Sequence, residues 1–296
     1  MDDTITTIYC LCDDFLKAIN HRRDDPQTRL STAEVMTIPL VAATFFGGET
    51  EKTRRFLHEY GYMKKMISKS HLNRRIHRIE PELWRMLFEL LAQAFIERND
   101  PEFRTYAVDS LPVPVCDNIR MRRCRIYPLE AAGHDDDDED DTPKKKEKRS
   151  FRGYIASKRR YYFYGLRVHL VVTGAGEPVE FSLAAGSEAD VTIFKELGLD
   201  LLPEGSIIFA DKAYTDYDYE DLLEEVGVHL KAQRKKNSKR QMRAWEEFLG
   251  KPIRQYIETV FSQLTSLFPK KLHAVTPRGF ELKIVCFLLA FSIQCL

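Results

Sequence analysis

Three acidic side chains draw attention by the places they occupy: Asp109, Asp211 and Glu258. Tyr106 and Val108 alternate with Thr105 and Ala107 ahead of Asp109, so a buried strand is expected to deliver that carboxylate at its end. Ile207, Ile208, Phe209 and Ala210 form an unbroken apolar run, the mark of a strand buried on both faces, and it ends on Asp211. Glu258 flanks a helical stripe of Ile253, Ile257, Val260, Phe261, Leu264 and Phe268, one turn after Arg254. A carboxylate at the end of a buried strand needs a cation or hydrogen-bond donors to stay ionised. Each acid also has a plainer reading: Asp109 as a loop cap, Glu258 as the i, i+4 partner of Arg254.

The elements that must position these acids can be read in the flanking sequence. Pro112 and Pro114 cannot donate to a central ladder, so regular pairing should stop, or move to an edge, just past Asp109. Residues 163–172 alternate, 174–176 make a turn and 178–183 return, giving with the Asp109 strand three antiparallel neighbours. A helix over 189–197, the Asp211 strand, a crossover helix over 216–226 and a short strand at 228–231 complete a five-stranded α/β unit. The last long amphipathic helix should start near Lys251-Pro252. Asp190 reads as a helix cap or a supporting acid, and Asp216, Asp218 and Asp221 as helix-start residues. His169 reads as a core residue rather than a ligand.

Residues 1–100 read as helical throughout. Ser31 or Thr32 with Glu34 caps a buried helix ending at Gly47-Gly48, and Thr50 to Tyr62 suggests another. Over 68–79, Leu72, Ile76 and Ile79 share one helical face, while His71, Arg74, Arg75 and Arg78 share the other. A cationic face backed by an apolar one suits DNA phosphates, or else simple solvation. Pro81 opens a long core helix, and the domain border falls near residue 100.

Lys+Arg and Asp+Glu both number 45, so net charge selects no partner, but the distribution is uneven. Residues 134–149 place an acidic block against a basic one, the composition of a disordered or loosely self-paired insertion at about 130–150. Its basic half leads into Lys158, Arg159 and Arg160, interleaved with tyrosines, a pattern that suits a nucleic-acid strand. The stretch 231–240 carries Arg234, Lys235, Lys236, Lys239 and Arg240 without an acid and is a second candidate contact, and Lys212 could steady a phosphate. Six cysteines without C-x-x-C spacing read as reduced thiols. No signal peptide is expected, and the apolar run 284–296 is too short for a bilayer, so a soluble intracellular protein is expected.

Several segments together resemble the DDE transposases of bacterial insertion sequences, in particular the insertion sequence 982 family. They are Ala-Val-Asp-Ser-Leu-Pro-Val-Pro-Val-Cys (107–116), Gly-Tyr-Ile-Ala-Ser-Lys-Arg-Arg-Tyr (153–161), Tyr-Gly-Leu-Arg-Val-His (164–169), Ala-Asp-Lys-Ala-Tyr-Thr-Asp-Tyr (210–217), Arg-Lys-Lys-Asn-Ser-Lys-Arg (234–240) and Ile-Glu-Thr-Val-Phe-Ser-Gln-Leu (257–264). The resemblance implies a ribonuclease-H-like mixed sheet flanked by helices over 101–296, behind an all-α DNA-binding domain over 1–100. It implies Asp109, Asp211 and Glu258 as the catalytic triad, holding two Mg²⁺ about 3.5–4 Å apart, with Mn²⁺ able to substitute. Such a site would hydrolyse a phosphodiester at an element's end and transfer the freed 3′-OH into target DNA. Element ends and target DNA are then the partners, a homodimer or higher oligomer the working form, and the nucleoid-associated cytoplasm of a prokaryote the setting. A catalytically silent DNA-binding or repressor relic, or a non-transposing nuclease, stays open. The charged tract 134–149 is longer than the family carries there.

Overall fold

The computed structural model describes residues 1–22, 24–99, 104–129, 150–155 and 161–296, apart from the side chains of Asn118, Tyr161, Asp200 and Arg254. The charged insertion and Lys158, Arg159 and Arg160 lie outside these residues. Five helices come first: α1 (Asp2–Ala18), α2 (Thr32–Phe45), α3 (Thr50–Glu59), α4 (Lys69–Arg78) and α5 (Pro81–Arg98). Ser31 and Glu34 form the expected capping box, with Ser31 Oγ accepting the Glu34 N–H at 3.1 Å and Glu34 accepting the Ser31 N–H at 2.6 Å. α2 is apolar all round because it is buried all round, between α1 and the C-terminal helix. It ends at Gly47 and Gly48, whose φ values of 56° and 78° suit residues without a Cβ.

The sheet is built from β1 (Thr105–Cys116), β2 (Arg152–Ile155), β3 (Tyr161–Thr173), β4 (Pro178–Ala185), then α6 (Asp190–Glu196), β5 (Ile207–Ala210), α7 (Tyr217–Glu225) and β6 (His229–Ala232). The strand order is β2-β3-β1-β5-β6, and β4 also pairs with β3. Thirteen-residue β3 shares its outer edge between β2, along Tyr161 to Tyr164, and β4, along Leu166 to Val172. β1, β3 and β4 are antiparallel neighbours, whereas β5 and β6 run parallel to β1. The sheet is thus mixed, as expected, but has six strands among the described residues rather than five. β2 escaped the sequence reading because its aromatics and cations do not alternate by polarity. Tyr154 and Tyr162 nonetheless form a cross-strand pair with ring centroids 5.1 Å apart.

β1 does not stop at its prolines. It loses β5 after Val108 but stays paired with β3 through Pro112 and Pro114. Opposite Pro114, the Gly165 N–H donates to Phe151 O at 2.8 Å and its carbonyl accepts the Gly186 N–H at 3.0 Å, so both point away from β1. Pro114 therefore sits in a non-hydrogen-bonded pair where a missing N–H costs nothing, and its own N faces the side β5 has vacated. The two backbones come so close that a Cβ on Gly165 would lie 2.3 Å from Val113 O.

Two helices close the chain, α8 (Ala244–Leu267) and α9 (Pro277–Gln294). α8 begins before the expected Lys251-Pro252. Glu246 accepts the Arg243 N–H at 2.8 Å and pairs with Lys231 of β6 at 2.9 Å, which fixes the earlier start and leaves Pro252 inside the helix, exposed. α8 packs on β1 and β5, and α9 packs on α2, α5 and β4. No helix of the described residues is long and apolar enough to cross a membrane.

Candidate active site and nucleic-acid interface

The parallel register of β1 and β5 runs from Thr105 opposite Ile207 to Val108 opposite Ala210. One further step sets Asp109 against Asp211, on chains that in a sheet lie about 4.8 Å apart. Asp211 keeps extended backbone (φ −73°, ψ 167°) and caps a one-turn 3-10 helix, Lys212–Tyr214, its carboxylate accepting the Lys212 N–H at 2.6 Å. The Asp109 carboxylate likewise accepts the N–H of Ser110, at 2.7 Å. Both acids are half-buried. By alternation they share the sheet face of Ala107 and Phe209. That is the face α8 covers, since the Phe209 ring lies 3.2 Å from where a Cβ on Gly250 would stand.

Glu258 is exposed on α8. Its neighbour Tyr256 donates a hydrogen bond to Ala175 O, at 2.6 Å, in the β3–β4 turn, and Val260 packs on Gly176 of that turn. Among the described residues no three His, Cys, Asp or Glu side chains gather as a metal would require. The register thus leads Asp109 and Asp211 out on neighbouring chain segments, and among the described residues Glu258 completes no three-ligand cluster with them. Two carboxylates on adjacent chain segments offer hard oxygen donors suited to a divalent cation that keeps open positions. They fit such an ion in part, and a third carboxylate is not supplied in this arrangement.

Behind the acids, on the opposite sheet face, lies a buried polar group. Ser110 is the cross-strand partner of His169, which is fully buried. Burial pushes His169 down to about 4, against the opposing pull of Asp190. Its Nδ1 stands 3.4 Å from the hydroxyl of Tyr214, and its Nε2 faces Asp190 Oδ1 at 3.8 Å. Burial, then the carboxylates of Asp190 and Asp109, hold the Tyr214 phenol protonated well above its ordinary range. Asp190 does not cap α6. Ala189 holds the cap position without a side-chain bond, while Asp190 accepts from Arg167 Nη1 at 2.7 Å. Sequence reading missed Tyr214 and Arg167, although both stand inside segments it singled out.

The candidate DNA contacts divide. On α4, His71, Arg74 and Arg78 are exposed, but Arg75 turns inward, donating to Leu30 O and pairing with Asp24. After β6, Lys235, Lys236 and Lys239 are exposed, as is Lys212. Arg234 is instead held by both oxygens of Glu220, at 2.6 and 2.5 Å, and Arg240 by both oxygens of Asp221, at 2.5 and 2.8 Å. Those two arginines also flank the Tyr217 ring, 5.3 and 5.0 Å from its centroid, so they build the segment and leave its lysines to meet a polyanion.

Residues 100–293, about two thirds of the chain, match the sequence profile of a family described as Transposase DDE domain. No curated protein matches the chain. Among solved structures, a piggyBac transposase synaptic complex with hairpin DNA, solved by cryo-EM, is similar at 12% identity and a TM-score of 0.48, covering 99% of this chain and 72% of that one. A Mos1 transposase paired-end complex with the left transposon end is similar at 10% identity and a TM-score of 0.24, covering 92% and 85%.

Proposed function

The chain belongs to the family of the transposase DDE domain, and from that premise we propose that it cleaves DNA at the ends of an insertion sequence and transfers the freed 3′-OH strand into target DNA. The observation that supports this reading is the β1–β5 register, which pairs Val108 with Ala210, the residues just before Asp109 and Asp211. The strand order, with β3 antiparallel and β5 and β6 parallel to β1, supports a ribonuclease-H-like catalytic unit. Asp109 and Asp211 hold Mg²⁺ in this proposal, with Mn²⁺ as a substitute, and Glu258 joins them as the third acid when DNA and metal are in place. When bound, a pair of divalent ions supplies Lewis-acid activation of the attacking oxygen and charge neutralisation at the leaving 3′-oxygen. The protein's own part is to fix both carboxylates, through the N–H donors of Ser110 and Lys212, and to orient the phosphodiester. Lys212, Lys235, Lys236 and Lys239 hold phosphates beside the acids, and His71, Arg74 and Arg78 of α4 grip the element end. Lys158, Arg159 and Arg160 are assigned to the same DNA path. The working form is a dimer or larger assembly on DNA.

The test is nicking and strand transfer on a supercoiled plasmid carrying element ends, with Mg²⁺ against EDTA. Asp109→Asn and Asp211→Asn each remove a metal-binding charge worth several kcal/mol, so cleavage falls by about 100- to 1,000-fold or more while DNA binding stays measurable. Cleavage retained by either variant rejects the pair. Cleavage retained by Glu258→Gln rejects only the third acid. Metal-independent binding without nicking identifies a repressor, and nicking without joining identifies a nuclease.

A further inference from the structure

We propose that Tyr214 is a positioning residue for the acid pair, tying the segment that carries Asp211 to the strand that carries Asp109 through its buried hydroxyl. This rests on the metal-holding role given to the two acids above. Asp109 needs no such help, because β1 remains paired with β3 on either side of it. Asp211 lies beyond the last rung of both its ladders, which end at Val108–Ala210 and at Ala210–Ala232. What brings its segment back into the core is Tyr214, three residues on and 1% exposed. The ring is wedged edge-on between Phe194, at 5.5 Å and 83°, and His169, at 6.4 Å and 79°.

Packing alone explains a phenylalanine at this position, not a tyrosine. A hydroxyl taken out of water costs free energy unless it is bonded, and here it meets His169 Nδ1 and the Ser110 hydroxyl. His169 is neutral, and the tautomer that turns its proton toward the Asp190 carboxylate, on Nε2, lets the Tyr214 O–H donate to Nδ1. Nε2 has no hydrogen-bond partner in its buried setting, and Asp190 is held in place by Arg167. Tyr214 is therefore the group that links His169 to Ser110, the residue next to Asp109, while Arg167 fixes Asp190 in front of the imidazole. Rotation of the Asp211 segment away from β1 would break that link at the phenol.

The experiment compares full-length wild type, Tyr214→Phe and Ser110→Ala. Mn²⁺ binding to the DNA-free protein is followed by the EPR signal of free Mn²⁺, together with thermal unfolding and with nicking as a function of metal concentration. Tyr214→Phe is expected to unfold cooperatively and to weaken Mn²⁺ binding about 10-fold, the scale seen when a partner of a metal ligand is lost. Nicking should then recover at saturating metal, so the metal requirement moves and the maximal rate does not. Ser110→Ala should shift in the same direction by less. Wild-type Mn²⁺ affinity in Tyr214→Phe overturns the proposal, whatever its melting temperature, and should that variant fail to fold, unchanged affinity in Ser110→Ala does so. A wild type that binds Mn²⁺ without nicking element DNA refutes the transposase reading and leaves Tyr214 to be judged by affinity alone. A wild type that binds no Mn²⁺ overturns both.

Discussion

His169 is a base kept neutral by its surroundings, which gives the fold a pH dependence of definite sign. Unfolded, a histidine takes up its proton near pH 6.5; folded, this one does so only at about 4. The unfolded chain binds the extra proton first. The contribution is therefore fully present above pH 6.5 and is lost as pH falls from 6.5 to 4, on the order of 3 kcal/mol in all. Urea unfolding at pH 7, 5.5 and 4.5 should show this loss, and His169→Gln should lack it; parallel profiles would assign the acid sensitivity elsewhere. The core placement of His169 was legible from its position on an alternating strand. The role of Asp190 was not, because its partner Arg167 lies on β3, and local spacing carries no information about which strand faces a helix start. Asp211 does follow the exit of a buried strand, as its apolar run implies, whereas Asp109 lies mid-strand because β1 runs on to Cys116 against β3, a pairing that local spacing does not show.

Among the elements, α4 shows what helical periodicity can and cannot reveal. It separates the buried Leu72 and Ile76 from the exposed His71, Arg74 and Arg78. Arg75 stands at the boundary between these faces, and only the fold shows that it reaches Leu30 O and Asp24. Arg74→Ala and Arg78→Ala should each lower the slope of log affinity for element DNA against log salt by about one, with little change in stability. Arg75→Ala should leave that slope alone and destabilise by about 1–3 kcal/mol, because Leu30 O and Asp24 lose their donor. Binding titrations at several salt concentrations and urea melts separate the two cases. The cationic run after β6 taught the same lesson, since the pairing of Arg234 and Arg240 with α7 depends on a crossover packing beside it. The start of α8 was misplaced because a proline usually marks a first turn, and here Glu246, accepting the Arg243 N–H and paired with Lys231, sets an earlier start.

Across the whole molecule, the apolar core does not respect the border expected near residue 100. Buried residues of α1 and α2 belong to one cluster with those of the sheet and α9. α5 is fastened to β4 by Arg85, which meets both oxygens of Glu180 at 2.6 Å and Phe181 O at 2.9 Å. Residues 1–99 alone should therefore show no cooperative thermal transition by circular dichroism, since α2 would expose the apolar surface that α9 now covers. A sharp melt from that fragment would establish an independent domain. β1 remains the strand on which both halves of the sheet are indexed, antiparallel to one side and parallel to the other. Since its side chains alternate, the loss of one residue between Thr105 and Val108 would turn Asp109 to the rear of the sheet and bring Ser110 forward. Odd-numbered insertions and deletions there should silence the protein, because the fold counts parity before it counts chemistry.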